Sequence, residues 1–232
     1  MKQKSILLSQ RAWLDDQLID VTQLMLKQQH PLIGGFQSPL FGDTLAMTPP
    51  DSEFVQVILV CGNHWVAIST VGCKPSTIRV YDSLGGRLPK RSFKLVADLM
   101  HSKEKSVNVE FVDVQKQKGG SDCGLFALAF ITSICNGQDP SELVYNQTAM
   151  RSHLLMCIEQ GQIMPFPSAS GRCAEKAVIK TIPIYCICRL IDDGTKMIEC
   201  AGCREWFHVA CVQVQKKFIT NRNLDWFCND CV

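Results

Sequence analysis

The 232-residue sequence lacks any long apolar run. The longest, Leu125 to Ile131, is far too short to span a bilayer, and Ile6-Leu7-Leu8 is too short for the core of a signal peptide. An excess of charge is missing too. Twenty-four basic residues stand against twenty-two acidic ones, a net charge of +2. That leaves no bulk electrostatic case for direct nucleic-acid binding or for an anionic membrane. There are no internal repeats and no low-complexity tracts, which sets repeat architectures aside. These absences describe a soluble intracellular protein of ordinary globular composition, long enough for one medium domain and one small one.

Cysteine, in contrast, is plentiful. Seven of the thirteen lie in the last 47 residues at short, regular spacings, and Cys61, Cys73, Cys123, Cys135, Cys157 and Cys173 are scattered. Clustered ligand-type thiols beside scattered free ones fit a reducing compartment better than a disulfide framework.

Hydrophobic patterning divides the chain. Leu14, Leu18, Val21 and Met25 recur at helical spacing, predicting a helix over residues 13–29 that begins with Asp15 and Asp16 and closes before Pro31. Runs over 54–60, 64–70, 77–81 and 107–114 read as strands, the first two joined by a Gly62-Asn63 turn. Helices are expected over 90–101, 123–135 and 150–160, the second apolar all round and therefore central. The pattern is α+β, with a mostly antiparallel sheet packed on helices. The boundaries that follow are a domain over 1–164, a linker over 165–182 rich in proline and small residues, and a module over 183–232.

In that module Cys186, Cys188, Cys200, Cys203, His208, Cys211, Cys228 and Cys231 follow the spacing C-x-C-x11-C-x2-C-x4-H-x2-C-x16-C-x2-C. Eight such ligands fill two closed tetrahedral sites, so two structural Zn2+ ions are expected, each contributing roughly 10–16 kcal/mol to the folding of so small a segment. With Trp206-Phe207 directly before His208 and Trp226 two residues before Cys228, the segment resembles a plant homeodomain (PHD) finger; a RING finger, the rival with a similar ligand order, fits the tryptophan and the spacing less well. The resemblance implies interleaved pairing: Cys186, Cys188, His208 and Cys211 on one ion, Cys200, Cys203, Cys228 and Cys231 on the other. It also implies an interaction with the histone H3 tail. Tyr185, Met197 and Trp206 match the aromatic cage of the subclass that reads methyllysine, where cation–π attraction replaces hydrogen bonding. Asp192, Asp193 and Glu205 are candidates to pair with basic tail residues.

A second constellation lies upstream. Cys123 follows Gly119-Gly120 and opens the apolar helix, where a helix N-terminus stabilises a thiolate. His64 starts a strand, Asp82 ends one, and Gln117 precedes Cys123 by six residues. These are the parts a thiol hydrolase needs: nucleophile, base, orienting carboxylate and oxyanion donor. His64-Trp65, Tyr81-Asp82-Ser83-Leu84, Gln117 through Gly124, and Trp13-Leu14-Asp15-Asp16 together resemble the SUMO-deconjugating (sentrin, ubiquitin-like-protein-specific) cysteine proteases, over about residues 5–160. The resemblance implies a papain-like fold and hydrolysis after the C-terminal Gly-Gly of a ubiquitin-like modifier. In it Cys123 attacks, His64 serves as base and then acid, Asp82 orients His64, Gln117 and the Cys123 N–H hold the oxyanion, and Trp13 and Trp65 wall a tunnel that admits only glycine. The alternatives are a chromatin reader whose protease domain only holds a modifier, and a polyprotein protease of the viral or mobile-element kind. The finger implies a nuclear location.

Overall fold

The computed structural model describes residues 2–9, 11–44, 47–86, 88–221 and 223–232. In chain order the elements are α1 (Lys2–Leu8), α2 (Asp16–Gln29), β1 (Gly34–Gly35), α3 (Leu40–Thr44), β2 (Phe54–Val60), β3 (His64–Ser69), β4 (Thr77–Tyr81), α4 (Lys90–Met100), β5 (Ser106–Val112), α5 (Cys123–Cys135), β6 (Leu143–Tyr145), α6 (Gln147–Gln160), β7 (Ser168–Ser170), β8 (Val178–Pro183), β9 (Met197–Glu199), β10 (Trp206–His208) and α7 (Lys216–Thr220). α2 starts at Asp16 because Asp15 caps it, its side chain accepting from the Leu18 N–H at 3.1 Å. α1 was not expected from the pattern.

One mixed sheet, in the order β1-β2-β3-β4-β5-β8, divides the main body into two cores. The pairs β2–β3, β3–β4 and β5–β8 are antiparallel, and β1–β2 and β4–β5 are parallel. On one face α5 lies against β2 and β3. It is buried from Cys123 to Ile134, with Phe126 and Phe130 in contact with each other and with Tyr145. On the other face α4 covers Ile58, Val66, Ile68, Val80, Val107 and Val109. Its amphipathic pattern puts Phe93, Val96, Ala97 and Leu99 inward.

The segment read as a linker is largely built into the fold. β7 pairs with β6, and Arg172 Nη1 donates to the carbonyls of Asp113 and Ser141 at 2.6 and 2.8 Å. β8 adds the sixth strand, pairing Val178 with Phe111 and Pro183 with Ser106. Within β8 only Ile182 is buried, so the sequence shows no hydrophobic alternation there. Main-chain pairing holds the strand in place, and composition does not report it.

The cysteine-rich module is therefore docked. Ile184 and Ile191 enter the core under α4, and the Ile184 N–H donates to the Lys105 carbonyl at 2.8 Å. Arg189 Nε donates to the Ser102 carbonyl at 2.8 Å, its Nη2 to that of Glu104.

Candidate active site and metal centres

The β2–β3 turn places His64. Cys61 and Gly62 both have left-handed φ, 54° and 73°, and the Asn63 N–H closes on the Val60 carbonyl at 3.3 Å. Val60 pairs with His64, so the connecting loop is Cys61–Asn63, and its two positive-φ residues start one position earlier than Gly62-Asn63. β4 runs antiparallel to β3, so Asp82, just past its end, meets His64 at the start of β3. Asp82 Oδ1 accepts from His64 Nε2 at 2.7 Å and from the Leu84 N–H at 2.8 Å, and Oδ2 accepts from the Gly86 N–H at 2.8 Å. Burial opposes ionisation of Asp82, but these donors outweigh it and hold its pKa below the usual carboxylate value. Burial likewise disfavours the His64 imidazolium. Hydrogen bonding and attraction from Asp82 and Cys123 overcome that, and the His64 pKa rises to about 9.

His64 uses Nε2 for Asp82, and its buried Nδ1 has no hydrogen-bond partner among the described residues. That nitrogen is the one left for Cys123, which is buried at the first position of α5. The first main-chain bond of this helix runs from the Phe126 N–H to the Asp122 carbonyl at 3.0 Å, leaving the N–H groups of Cys123, Gly124 and Leu125 ahead of the ladder. Gln117 is fixed from both ends. Its Oε1 accepts from Ser83 Oγ at 2.7 Å and its Nε2 donates to the Gly119 carbonyl at 2.9 Å. The second amide proton stays available. Ser83, which sets this orientation, lay unread inside the Tyr81-Asp82-Ser83-Leu84 motif.

Trp65 is 6% exposed and Trp13 51% exposed. The Trp65 indole N–H donates to the Leu14 carbonyl at 2.9 Å, tying the Trp13 segment to β3. Gly124 allows this approach to α5: a Cβ there would lie 3.0 Å from both Leu14 Cβ and Trp65 Cδ1.

In the docked module the ligand atoms of Cys186, Cys188, His208 and Cys211 lie within 4.8 Å of one another, as do those of Cys200, Cys203, Cys228 and Cys231. The β9–β10 hairpin brings Cys200 and His208 to opposite ends of a short ladder. Tetrahedral zinc sites put sulfur atoms about 3.8 Å apart. Cys203 and Cys228 Sγ are 3.9 Å apart, and Cys188 Sγ is 3.3 Å from His208 Nδ1. The donor sets and spacings fit zinc.

A cavity of about 550 Å³ beside β9 and β10 is lined by Met197 and Trp206. The ladder sets Met197 opposite His208 and Trp206 opposite Glu199, so the two are diagonal neighbours within reach across one face. Tyr185 lies outside the lining of this cavity. It bridges Leu190, while the next residue, Cys186, donates its N–H to the Trp206 carbonyl at 2.9 Å. The acidic candidates are not free. Asp193 Oδ2 accepts from Lys94 Nζ at 2.6 Å, Glu205 pairs with Lys105, and Asp192 Oδ1 caps its own turn through the Gly194 N–H at 2.9 Å. Docking on α4 and the loop after it, which the sequence does not show, supplies both lysines.

The family model described as "Ulp1 protease family, C-terminal catalytic domain" matches residues 46–156, and "PHD-finger" matches 186–231. The chain joins a Ulp1-family cysteine protease domain to a PHD finger. The Ulp1-family domain shares its papain-like fold with the SUMO protease Ulp1 whose catalytic cysteine is oxidised to a sulfonic acid, at TM-score 0.57 and 19% identity over 68% of this chain and 83% of that one. The C-terminal Ulp1 protease domain in complex with Smt3, the yeast ortholog of SUMO, aligns at TM-score 0.56 and 16% identity over 69% of this chain and 82% of that one. The PHD finger is 41% identical over 49 residues to the Set1 complex component spp1 of Schizosaccharomyces pombe, 21% of this chain and 11% of that protein. It is 57% identical over 37 residues to the lysine-specific demethylase phf2 of Danio rerio, 16% of this chain and 4% of that protein. The chain thus spans about a tenth or less of these curated relatives. Among the described residues no helix is long and apolar enough to cross a membrane.

Proposed function

We propose that the chain is a thiol peptidase and isopeptidase that cleaves after the C-terminal Gly-Gly of a SUMO-like modifier. The observation that carries this reading is the partly buried His64–Asp82 pair at 2.7 Å, together with a buried cysteine at the open N-terminus of α5. In the proposed reaction Cys123 Sγ bonds to the glycine carbonyl carbon, and the C=O electron pair moves to oxygen, held by the Cys123 N–H and the Gln117 amide. The His64 imidazolium gives its proton to the leaving nitrogen as the C–N bond breaks, leaving a thioester. His64, now neutral, takes a proton from water. The resulting hydroxide attacks the thioester and the Cys123 thiolate leaves. Trp13 and Trp65, joined through Leu14, form the wall that accepts glycine alone.

The PHD finger binds two zinc ions, one on each four-ligand group. Both sets are closed, so the metal supports structure and does no chemistry. The finger reads the histone H3 tail, with Met197 and Trp206 as two walls of a methyllysine cage. On this reading the protein acts in the nucleus, on modifier conjugates at chromatin. Its relatives in histone-modifying proteins and the Met197–Trp206 cavity support that part.

The test for the protease is reaction with SUMO and ubiquitin carrying C-terminal electrophiles. A SUMO adduct that disappears in Cys123→Ser is expected, and no adduct with either modifier sinks the reading. For the finger, methylated H3 peptide binding should drop at least tenfold in Trp206→Ala; undiminished binding removes the cage.

A further inference from the structure

Asp122 occupies the N-cap position of α5, where an aspartate ordinarily turns its carboxylate onto the first free N–H groups of the helix. Here it makes no capping bond. Its Oδ1 accepts from Arg151 Nη2 at 2.5 Å and its Oδ2 from Gln147 Nε2 at 2.6 Å, both from α6. The diversion has two chemical consequences. The N–H groups at the start of α5 stay open for a developing oxyanion, and a carboxylate next to the nucleophile is neutralised and turned away from it. Capping by Asp122 would instead fill those donors and set a negative charge against the thiolate.

Arg151 is built for this task. It is 8% exposed, and it also donates to the carbonyls of Ala12 at 2.7 Å and Ile6 at 3.1 Å. Ala12 precedes Trp13, so one guanidinium joins the nucleophile's turn to the tryptophan wall. Gln147 holds the approach to that turn, pairing with Lys118 through both main-chain groups at 2.8 and 2.9 Å. Other charged groups face this corner among the described residues: Arg11, Lys116 and Lys118 line the same cavity as Asp122 and Arg151, Lys116 Nζ donates to the Asp82 carbonyl at 3.1 Å, and His64 from β3 pairs with Asp82 after β4.

We infer that Arg151, assisted by Gln147, is a positioning residue that draws Asp122 off the N-terminus of α5 and so keeps it free to stabilise the Cys123 thiolate and the oxyanion. The inference rests on Cys123 being the nucleophile.

The experiment is alkylation of Cys123 by iodoacetamide as a function of pH, resolved by peptide mass spectrometry on the full zinc-loaded chain, so it needs no knowledge of the modifier. In Arg151→Met the midpoint of Cys123 alkylation should rise by about one pH unit as Asp122 returns to the helix. In the double variant Arg151→Met with Asp122→Asn it should return towards wild type, because the charge responsible is gone. A purely structural Arg151 would show no such rescue. An unmoved midpoint in Arg151→Met, or no recovery in the folded double variant, overturns the inference. Should Arg151→Met fail to fold, Gln147→Ala, at a partly exposed position, serves in its place. A smaller upward shift supports the inference and an unchanged midpoint overturns it. SUMO-electrophile reactivity measured in parallel separates this from the proposed specificity, since an enzyme that ignores SUMO still reports the alkylation shift.

Discussion

His64 carries the clearest consequence at the scale of single residues. Its pKa is raised to about 9, so the imidazolium proposed to protonate the leaving nitrogen persists well above pH 6.5 and is lost as pH climbs through 9. In a pH profile of kcat/KM the falling limb should therefore lie near pH 9. Asp82→Asn removes the carboxylate that raises the pKa and should move that limb to lower pH; a limb that stays put would show that Asp82 does not sustain the cation. Gln117→Ala should lower kcat about a hundredfold while KM changes little, because the lost donor serves the oxyanion more than the bound substrate. Residue types and order suggested these roles in the sequence, and the structure brings His64 and Asp82 together. The donors that depress Asp82, the N–H groups of Leu84 and Gly86, were not readable, because main-chain donors leave no mark on composition.

At the scale of elements, α5 is the member on which site and core both depend. It is apolar all round because it is enclosed all round, and its boundaries were legible for that reason. Phe130 is fully buried against Phe126, Tyr81 and Tyr145, so Phe130→Ala should cost about 3–5 kcal/mol in urea denaturation. Gly124→Ala tests the opposite fault. The added methyl would press on Leu14 and the Trp65 ring, costing about 1–3 kcal/mol and shifting the Trp13 segment, which tryptophan fluorescence would register. β8 could not be found in the same way. Val178 and Ile179 are exposed and the strand lies at a sheet edge, so its hydrophobic pattern carries no period and only the ladder to β5 defines it.

At the scale of the whole molecule, the PHD finger follows directly on β8, the last strand of the main sheet, and shares a core with the Ulp1-family domain through Ile191. β8 runs antiparallel to β5, so the finger hangs at the end of the sheet opposite His64 and Asp82. Ile182, Ile184 and Ile191 lie under α4, and Arg189, Lys94 and Lys105 bridge the two parts. Removing zinc with a chelator should therefore lower the Tm of the entire chain in one cooperative calorimetric transition and expose Cys186 through Cys231 to alkylation. Two separate transitions, with the protease unmoved, would show that the docking contributes nothing to its stability. Ile184→Ala, which leaves every ligand in place, should weaken the zinc-loaded protein by about 2–5 kcal/mol.

The sequence alone determined which cysteines and histidine are grouped for metal, which cysteine, histidine, aspartate and glutamine are the proposed catalytic set, and the central helix. Each rests on short-range chemistry: thiol spacing, a turn before a helix, an apolar run. Tertiary structure alone decided that the finger is docked and not tethered, that Asp193 and Glu205 answer to lysines of the Ulp1-family domain, and that Asp122 turns towards Arg151. Those outcomes depend on main-chain pairing and on charges brought together from 29 or more residues apart, as Arg151 and Asp122 are. A linear pattern contains the partners of such contacts but not their meeting.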